Sequence, residues 1–320
     1  MFLGLAFAIG GLAVLTLAAD HFVAGAARIA TAYRVAPVVI GAVLIGFGTS
    51  APEMVVSGIA AGQGDLDIGV GNVIGSNVAN ISLVLAAAAA VRTIPVASST
   101  LRRELPISVA GLVVFAVLVQ GELTRFEGGI LAALIAAFLV FILRSGGGES
   151  EELDDMVGDE PVVISKEAIR TFAALAMVVV SSWFIVNGAE RIAEALDLSG
   201  GFVGFTLVAL GTSAPELVTS VQAARQGETE LLVGNLLGSN VFNSLAVGGI
   251  IGLVGPGPVL DTTLAQTGSL IMVGIGVLSA VFMISSQSVN RPKAAVLFVV
   301  WVASVVLLSG GGEEAALLGF

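Results

Sequence analysis

The chain has 320 residues, of which 56% are hydrophobic and 12% charged, with mean hydropathy +1.03, whereas a soluble domain carries about 25% Asp, Glu, Lys and Arg. Such a composition predicts an integral membrane protein and leaves no length for a soluble catalytic domain. Net charge is −11, but the seven acids from Glu149 to Glu160 sit in one connection, so the acidity defines no substrate. There is no cysteine, which excludes disulfides, thiolate metal sites and cysteine nucleophiles.

Taken in chain order, apolar stretches fall at 2–27, 36–60, 67–91, 105–120, 127–144, 168–189, 201–224, 231–254, 265–286 and 293–309, predicted to cross a hydrocarbon core of about 30 Å as helices. The first has no basic residue ahead of it and runs on through Asp20, His21 and Arg28, which marks a span rather than a cleaved leader. His21, the only histidine, fits an interfacial structural role. Between the fifth and sixth stretches lies 145–166, rich in Gly, Glu and Asp. It reads as a solvated acidic linker, without the ordered spacing of a calcium-binding loop. The expected units are therefore 1–144 and 167–320. With alternating connections, 11 of the 13 basic residues fall on one side, leaving Arg125 and Arg191 on the other. The positive-inside rule then places both termini outside and the 145–166 linker in the cytoplasm.

The two units repeat each other at an offset of 163 residues. Gly48-Thr49-Ser50-Ala51-Pro52-Glu53 recurs as Gly211-Thr212-Ser213-Ala214-Pro215-Glu216. Gly71-Asn72-Val73-Ile74-Gly75-Ser76-Asn77 recurs as Gly234-Asn235-Leu236-Leu237-Gly238-Ser239-Asn240, and Asn80 matches Asn243. A repeat with an odd number of spans enters the membrane upside down relative to its copy. The expected fold is an all-α membrane protein of ten transmembrane helices, arranged as two inverted five-helix repeats with helices broken at the midplane.

Glu53 and Glu216 are the acids near the middle of apolar spans, where an ionised group costs at least about 2.5 to 3.5 kcal/mol and needs a partner or a wet cavity. No Lys or Arg stands at comparable depth, so the simplest counter-charge is a mobile cation. Pro52 and Pro215 should open their helices against the carbonyls of Gly48 and Gly211. Helical spacing would set the hydroxyls of Thr49 and Ser50 beside Glu53, and those of Thr212 and Ser213 beside Glu216. On the following helix Asn72, Ser76 and Asn80 form a polar stripe, echoed by Asn235, Ser239 and Asn243. These side chains serve equally as interhelical hydrogen-bonding groups, and the glycines as close-packing positions. Read as a site, the set is carboxylates, hydroxyls and amide or carbonyl oxygens, a hard donor shell suited to Ca²⁺ or Na⁺.

These paired motifs resemble those of the cation/calcium exchanger superfamily, specifically prokaryotic sodium/calcium exchangers, along essentially the whole chain. The resemblance implies antiport of Ca²⁺ against Na⁺ by alternating access, electrogenic when several Na⁺ replace one Ca²⁺. It also implies roles by motif position. Glu53 and Glu216 would bridge Ca²⁺, helped by the carbonyls of Thr49 and Thr212. Ser50, Ser76, Ser213 and Ser239 would complete flanking Na⁺ sites with the carbonyls of Gly46 and Ala209, and Asn80 and Asn243 would hold the middle position. Some relatives carry Asp in place of Asn243, and K⁺-dependent members an acid there, so Asn243 argues against K⁺ co-transport. The partners expected are the two ions and the bilayer, with no resident cofactor, nucleic acid or obligatory protein partner. An H⁺-driven exchanger of the same fold is the alternative, disfavoured by the Thr-Ser pairs. A passive cation channel and an intramembrane hydrolase built on two acids remain rival classes.

Overall fold

The fold was read from a computed structural model, which describes residues 1–32, 50–144, 163–227 and 229–309. The first unit begins with α1 (Phe2–Ala32) and resumes with α2 (Ala51–Gln63). It continues through α3 (Leu66–Val91), α4 (Glu104–Leu118) and α5 (Arg125–Arg144). The second holds α6 (Ile164–Leu196), the bent pair α7 (Gly200–Thr212) and α8 (Ala214–Gln226), then α9 (229–254), α10 (Leu264–Ser286) and α11 (Arg291–Ser309). By length and composition α3, α6, α9, α10 and α11 can each cross a membrane, and α7 with α8, bent by 43°, makes a sixth candidate. The expected fourth span is only a 15-residue helix, about 22 Å long at 1.5 Å per residue. The first part of the expected second span and residues 145–162 of the expected linker lie outside the described residues, whereas 164–166, assigned to the linker from sequence, form the start of α6.

Repeated sequence gives repeated local structure. Both α2 and α8 start one residue after a serine, Ser50 or Ser213, with proline in the first turn, where its missing N–H costs no hydrogen bond. Both end at a left-handed glycine, Gly64 and Gly227, with φ of 94° and 92°, a conformation only glycine adopts without strain. In α3 the α-helical pattern loosens into a π turn at Asn80–Val84, and in α9 at Phe242–Val247. A π turn inserts one residue and redirects the side chains around it, which is why such turns gather at functional positions.

Buried fractions identify the centre. Of their apolar windows, 83% of α3 and 72% of α9 is buried, against 33% for α6, 39% for α10 and 22% for α11. The main core joins Val70, Val73, Ile74 and Val78 of α3 to Phe115 of α4, Phe242 of α9 and Met272 of α10. At α3 the approach of α7 is backbone to backbone: a Cβ on Gly71 would run into the Gly201 carbonyl, and one on Gly75 into that of Phe205.

The two halves are also joined in a reciprocal way. Helices α1 and α6, equivalent in the repeat, pack antiparallel: Gly4 meets Gly188 and Arg191, Gly11 meets Ser181 and Ile185, and Gly25 meets Glu167 and Thr171. Strand β1 (Ile94–Pro95) pairs with β4 (Ser288–Val289), and β2 (Glu122–Leu123) with β3 (Gly257–Pro258), both antiparallel. The offset of 163 carries β1 onto β3, and β2 and β4 follow the equivalent helices α4 and α10. Each ribbon thus takes one strand from each half, and exchanging the halves converts one ribbon into the other.

Candidate cation site

Glu53 sits in the first turn of α2 and Glu216 in the first turn of α8, where the positive end of the helix dipole favours a negative charge. They are 0% and 1% exposed and lie within electrostatic reach of one another. Also buried are Ser50, Ser57, Asn72, Ser76, Asn77 and Asn80 of the first half, and Thr212, Ser213, Ser220, Ser239, Asn240, Asn243 and Ser244 of the second. The carbonyl-bearing Ala209 is buried too. Thr49 and Gly46 lie outside the described residues.

The hydroxyls do not go where simple helical spacing would send them. Ser213 Oγ donates to Glu53 Oε1 at 3.3 Å, across the repeat, and Thr212 Oγ1 donates to Asn72 Oδ1 at 3.1 Å. Neither bonds its own Glu216, whose two carboxylate oxygens have no hydrogen-bond partner among the described residues. The reason is the break: Ser213 is not helical (φ −88°, ψ 8°) and precedes α8, so the i to i+3 relation to Glu216 does not apply to its side chain. The stripe on α3 behaves as expected near its start, Ser76 Oγ donating to Asn72 Oδ1 at 3.4 Å. At the π turn Asn80 Nδ2 donates instead to Asn240 Oδ1 at 3.2 Å, linking the two repeats. The Ala209 carbonyl accepts from Ser213 N at 2.9 Å and lies 3.3 Å from Thr212 Oγ1, whose single proton it shares with Asn72 Oδ1.

Several participants are additional to the residues singled out from the motifs. Asn72 Nδ2 donates to Ser57 Oγ at 2.9 Å, Ser57 being one helical turn beyond Glu53. Asn77 Nδ2 reaches Ser244 Oγ at 3.0 Å. Ser57 recurs as Ser220 at the same offset, one turn beyond Glu216, and that recurrence was the available signal.

Buried oxygens without partners include Ser50 Oγ, Glu53 Oε2, both oxygens of Glu216, Asn77 Oδ1, Ser220 Oγ and Asn243 Oδ1. Buried polar atoms left unpaired are costly, and most of those among the described residues are oxygens, the nitrogens being Arg28 Nε, Asn240 Nδ2 and Asn243 Nδ2. Among the described residues, no group of three or more His, Cys, Asp or Glu side chains gathers to hold a metal. The available shell is therefore two carboxylates with neutral oxygens, which suits a hard cation of low charge and not a transition metal.

Comparison with known proteins agrees with this chemistry. The family model described as sodium/calcium exchanger protein matches residues 3–144 and 167–310. The putative antiporter CaxA of Alkalimonas amylolytica is 35% identical over 313 residues, covering 94% of this chain and 97% of its own. The sodium/calcium exchanger MaX1 of Methanosarcina acetivorans is 30% identical, with 93% and 96% covered. The solved sodium-calcium exchanger NCX_Mj superposes with a TM-score of 0.65 at 28% identity, covering 95% of this chain and 98% of that one. The chain belongs to the sodium/calcium exchanger family, a class of multi-pass membrane antiporters.

Proposed function

We propose that this chain is a secondary antiporter that exchanges Ca²⁺ for Na⁺ across a cell membrane by alternating access, extruding Ca²⁺ electrogenically. The observation that carries the reading is the burial of Glu53 and Glu216, one from each repeat and within electrostatic reach of one another, with carboxylate oxygens left unpaired. Two carboxylates balance one Ca²⁺. Exchanging more than two Na⁺ for one Ca²⁺ would move net positive charge in the direction of Na⁺ in each cycle. Thr49 and Thr212 would share the Ca²⁺ position with the glutamates. Ser50, Ser76, Ser213, Ser239, Gly46 and Ala209 would serve Na⁺, with Asn80 and Asn243 between. Thr212 and Ala209 would have to release present hydrogen bonds to do so.

The architecture behind this is a pair of inverted five-helix repeats, 1–144 and 167–320, with a cytoplasmic linker at 145–166, both termini outside, and helices broken near the midplane. It is supported by the antiparallel α1–α6 pair, by the reciprocal β ribbons and by the 43° bend between α7 and α8. Inverted repeats of this kind let one conformation become its mirror across the membrane.

The test is ⁴⁵Ca²⁺ uptake into proteoliposomes loaded with Na⁺, or with K⁺ or choline, at fixed pH and with an imposed pH gradient. Uptake that requires internal Na⁺ and accelerates with a potential drawing positive charge outward supports the reading. Uptake driven by the pH gradient alone would assign H⁺ as the driving ion. Flux indifferent to the counter-ion would mark a channel.

A further inference from the structure

Although the two halves share their motifs, their hydrogen bonding around the glutamates differs. Around Glu53 a chain of contacts spans both halves: Ser213 Oγ donates to Glu53 Oε1 (3.3 Å), its neighbour Thr212 donates through Oγ1 to Asn72 Oδ1 (3.1 Å), and Asn72 Nδ2 donates to Ser57 Oγ (2.9 Å). Ser57 then stands one turn from Glu53 on the same face of α2. Ser57 Oγ also reaches the Gly69 carbonyl at 3.4 Å, so α2, α3 and the α7–α8 break are tied at one point. All five side chains are buried. The repeat-related residues of the second half are Glu216, Ser220 and Asn235. Glu216 has neither oxygen bonded, and Ser220 Oγ, though 2% exposed, has no partner. Asn235 is half-buried, whereas its equivalent Asn72 is 0% exposed. The serine and asparagine that clasp in one half are apart in the other.

Resting on the antiporter reading, we infer that Ser57–Asn72 and Ser220–Asn235 are two alternative clasps, closed one at a time, and that Asn72 and Asn235 are positioning residues that set which side of the membrane the glutamate pair faces. In the present conformation the first clasp is shut, holding the Thr212–Ser213 break against Glu53. Closing the second would draw Asn235 inward to Ser220 beside Glu216, and the symmetry of the repeats then demands that the first open. Neither asparagine needs to touch the ion: each selects a backbone arrangement by donating to a buried serine hydroxyl, Ser57 in the present conformation and, in the other, Ser220, which has no partner among the described residues here. A buried hydrogen bond present in one state and absent from the other biases a two-state equilibrium. At about 1 kcal/mol net, with any unpaired group adding to it, removing one clasp should shift the balance roughly three- to tenfold.

The experiment measures Na⁺-dependent ⁴⁵Ca²⁺ exchange in right-side-out and inside-out membrane vesicles, giving an apparent KM for Ca²⁺ at each face. Asn72→Ala should change the ratio of the two KM values by about three- to tenfold in one direction, and Asn235→Ala by a similar factor in the other. The double substitution should return the ratio towards that of the unaltered protein. Ser57→Ala and Ser220→Ala, smaller changes in case an asparagine variant does not insert, should reproduce the same opposed pattern. A merely structural role would weaken exchange at both faces alike. Exchange-competent variants whose ratios stay fixed, or move the same way from both halves, would overturn the clasps. If the unaltered vesicles show no Na⁺-dependent exchange, it is the antiporter reading that fails.

Discussion

At the scale of single residues, the two glutamates have the clearest consequences. Both are buried, and neither takes part in the two salt bridges among the described residues, Arg28–Glu167 between α1 and α6 and Arg170–Glu167 within α6. Removing one partner of a buried charge pair costs about 3 to 5 kcal/mol, and every 1.4 kcal/mol is tenfold. Replacing Glu53 or Glu216 with Gln should therefore lower Ca²⁺ exchange about a hundredfold or more in proteoliposomes, with membrane insertion unchanged because the shape is kept. Asn243 presents both ends of its amide without a partner. Asn243→Asp should place a third acid beside the pair and make exchange pH-sensitive or less selective between Ca²⁺ and Na⁺. An unaltered pH profile and selectivity would remove Asn243 from the site.

The burial of these polar residues was legible in the sequence, because duplication at a fixed offset singles out Glu53, Ser76 and Asn80 with Glu216, Ser239 and Asn243 from other polar residues. The partners were not. Helical spacing pairs Ser213 with Glu216, but the break at Ser213 turns the hydroxyl to Glu53, and only a three-dimensional arrangement can report a contact between residues 160 positions apart. Ser57 was legible in principle, through its recurrence as Ser220.

At the scale of elements, the decisive contact is α3 against α7. The Gly71 and Gly75 positions let the two backbones touch, so the polar stripe of α3 meets Thr212 directly. Overpacking a tight contact costs about 1 to 3 kcal/mol, occasionally more, and a carbonyl cannot step aside as a side chain does. Gly75→Ala should lower the Tm of the detergent-solubilised protein and cut exchange. Gly10, exposed on α1 with open space around its Cβ position, is the control: Gly10→Ala should be neutral or stabilise by up to about 1 kcal/mol through helix propensity. Equal effects at the two positions would mean that the α3–α7 approach is not close. Element boundaries were less legible than element identity. The π turns in α3, α7, α9 and α10 carry no residue signature of their own, and they arise where packing, not propensity, sets the helical phase. The shortness of α4 was likewise hidden, since 105–120 reads as a continuous apolar run.

At the scale of the whole molecule, the account is one of reciprocity: equivalent helices back to back, equivalent strands exchanged between ribbons, and one acid from each half. The sidedness that follows is testable because the chain has no cysteine. A single cysteine introduced in the 145–166 linker should react with a membrane-impermeant thiol reagent only from the cytoplasm, and one replacing Gly121, at the end of α4, only from outside. Labelling of both from the same face would break the inverted arrangement.

The central claim is that Glu53 and Glu216 together hold one cation site that Ca²⁺ and Na⁺ occupy in turn, and titration calorimetry of the purified protein tests it most directly. In Na⁺-free buffer the account predicts one Ca²⁺ bound per chain, displaced by Na⁺ with a Hill coefficient above one, and no binding when both glutamates are replaced by Gln. Ca²⁺ binding that persists in that double variant, or that Na⁺ leaves untouched, would contradict it.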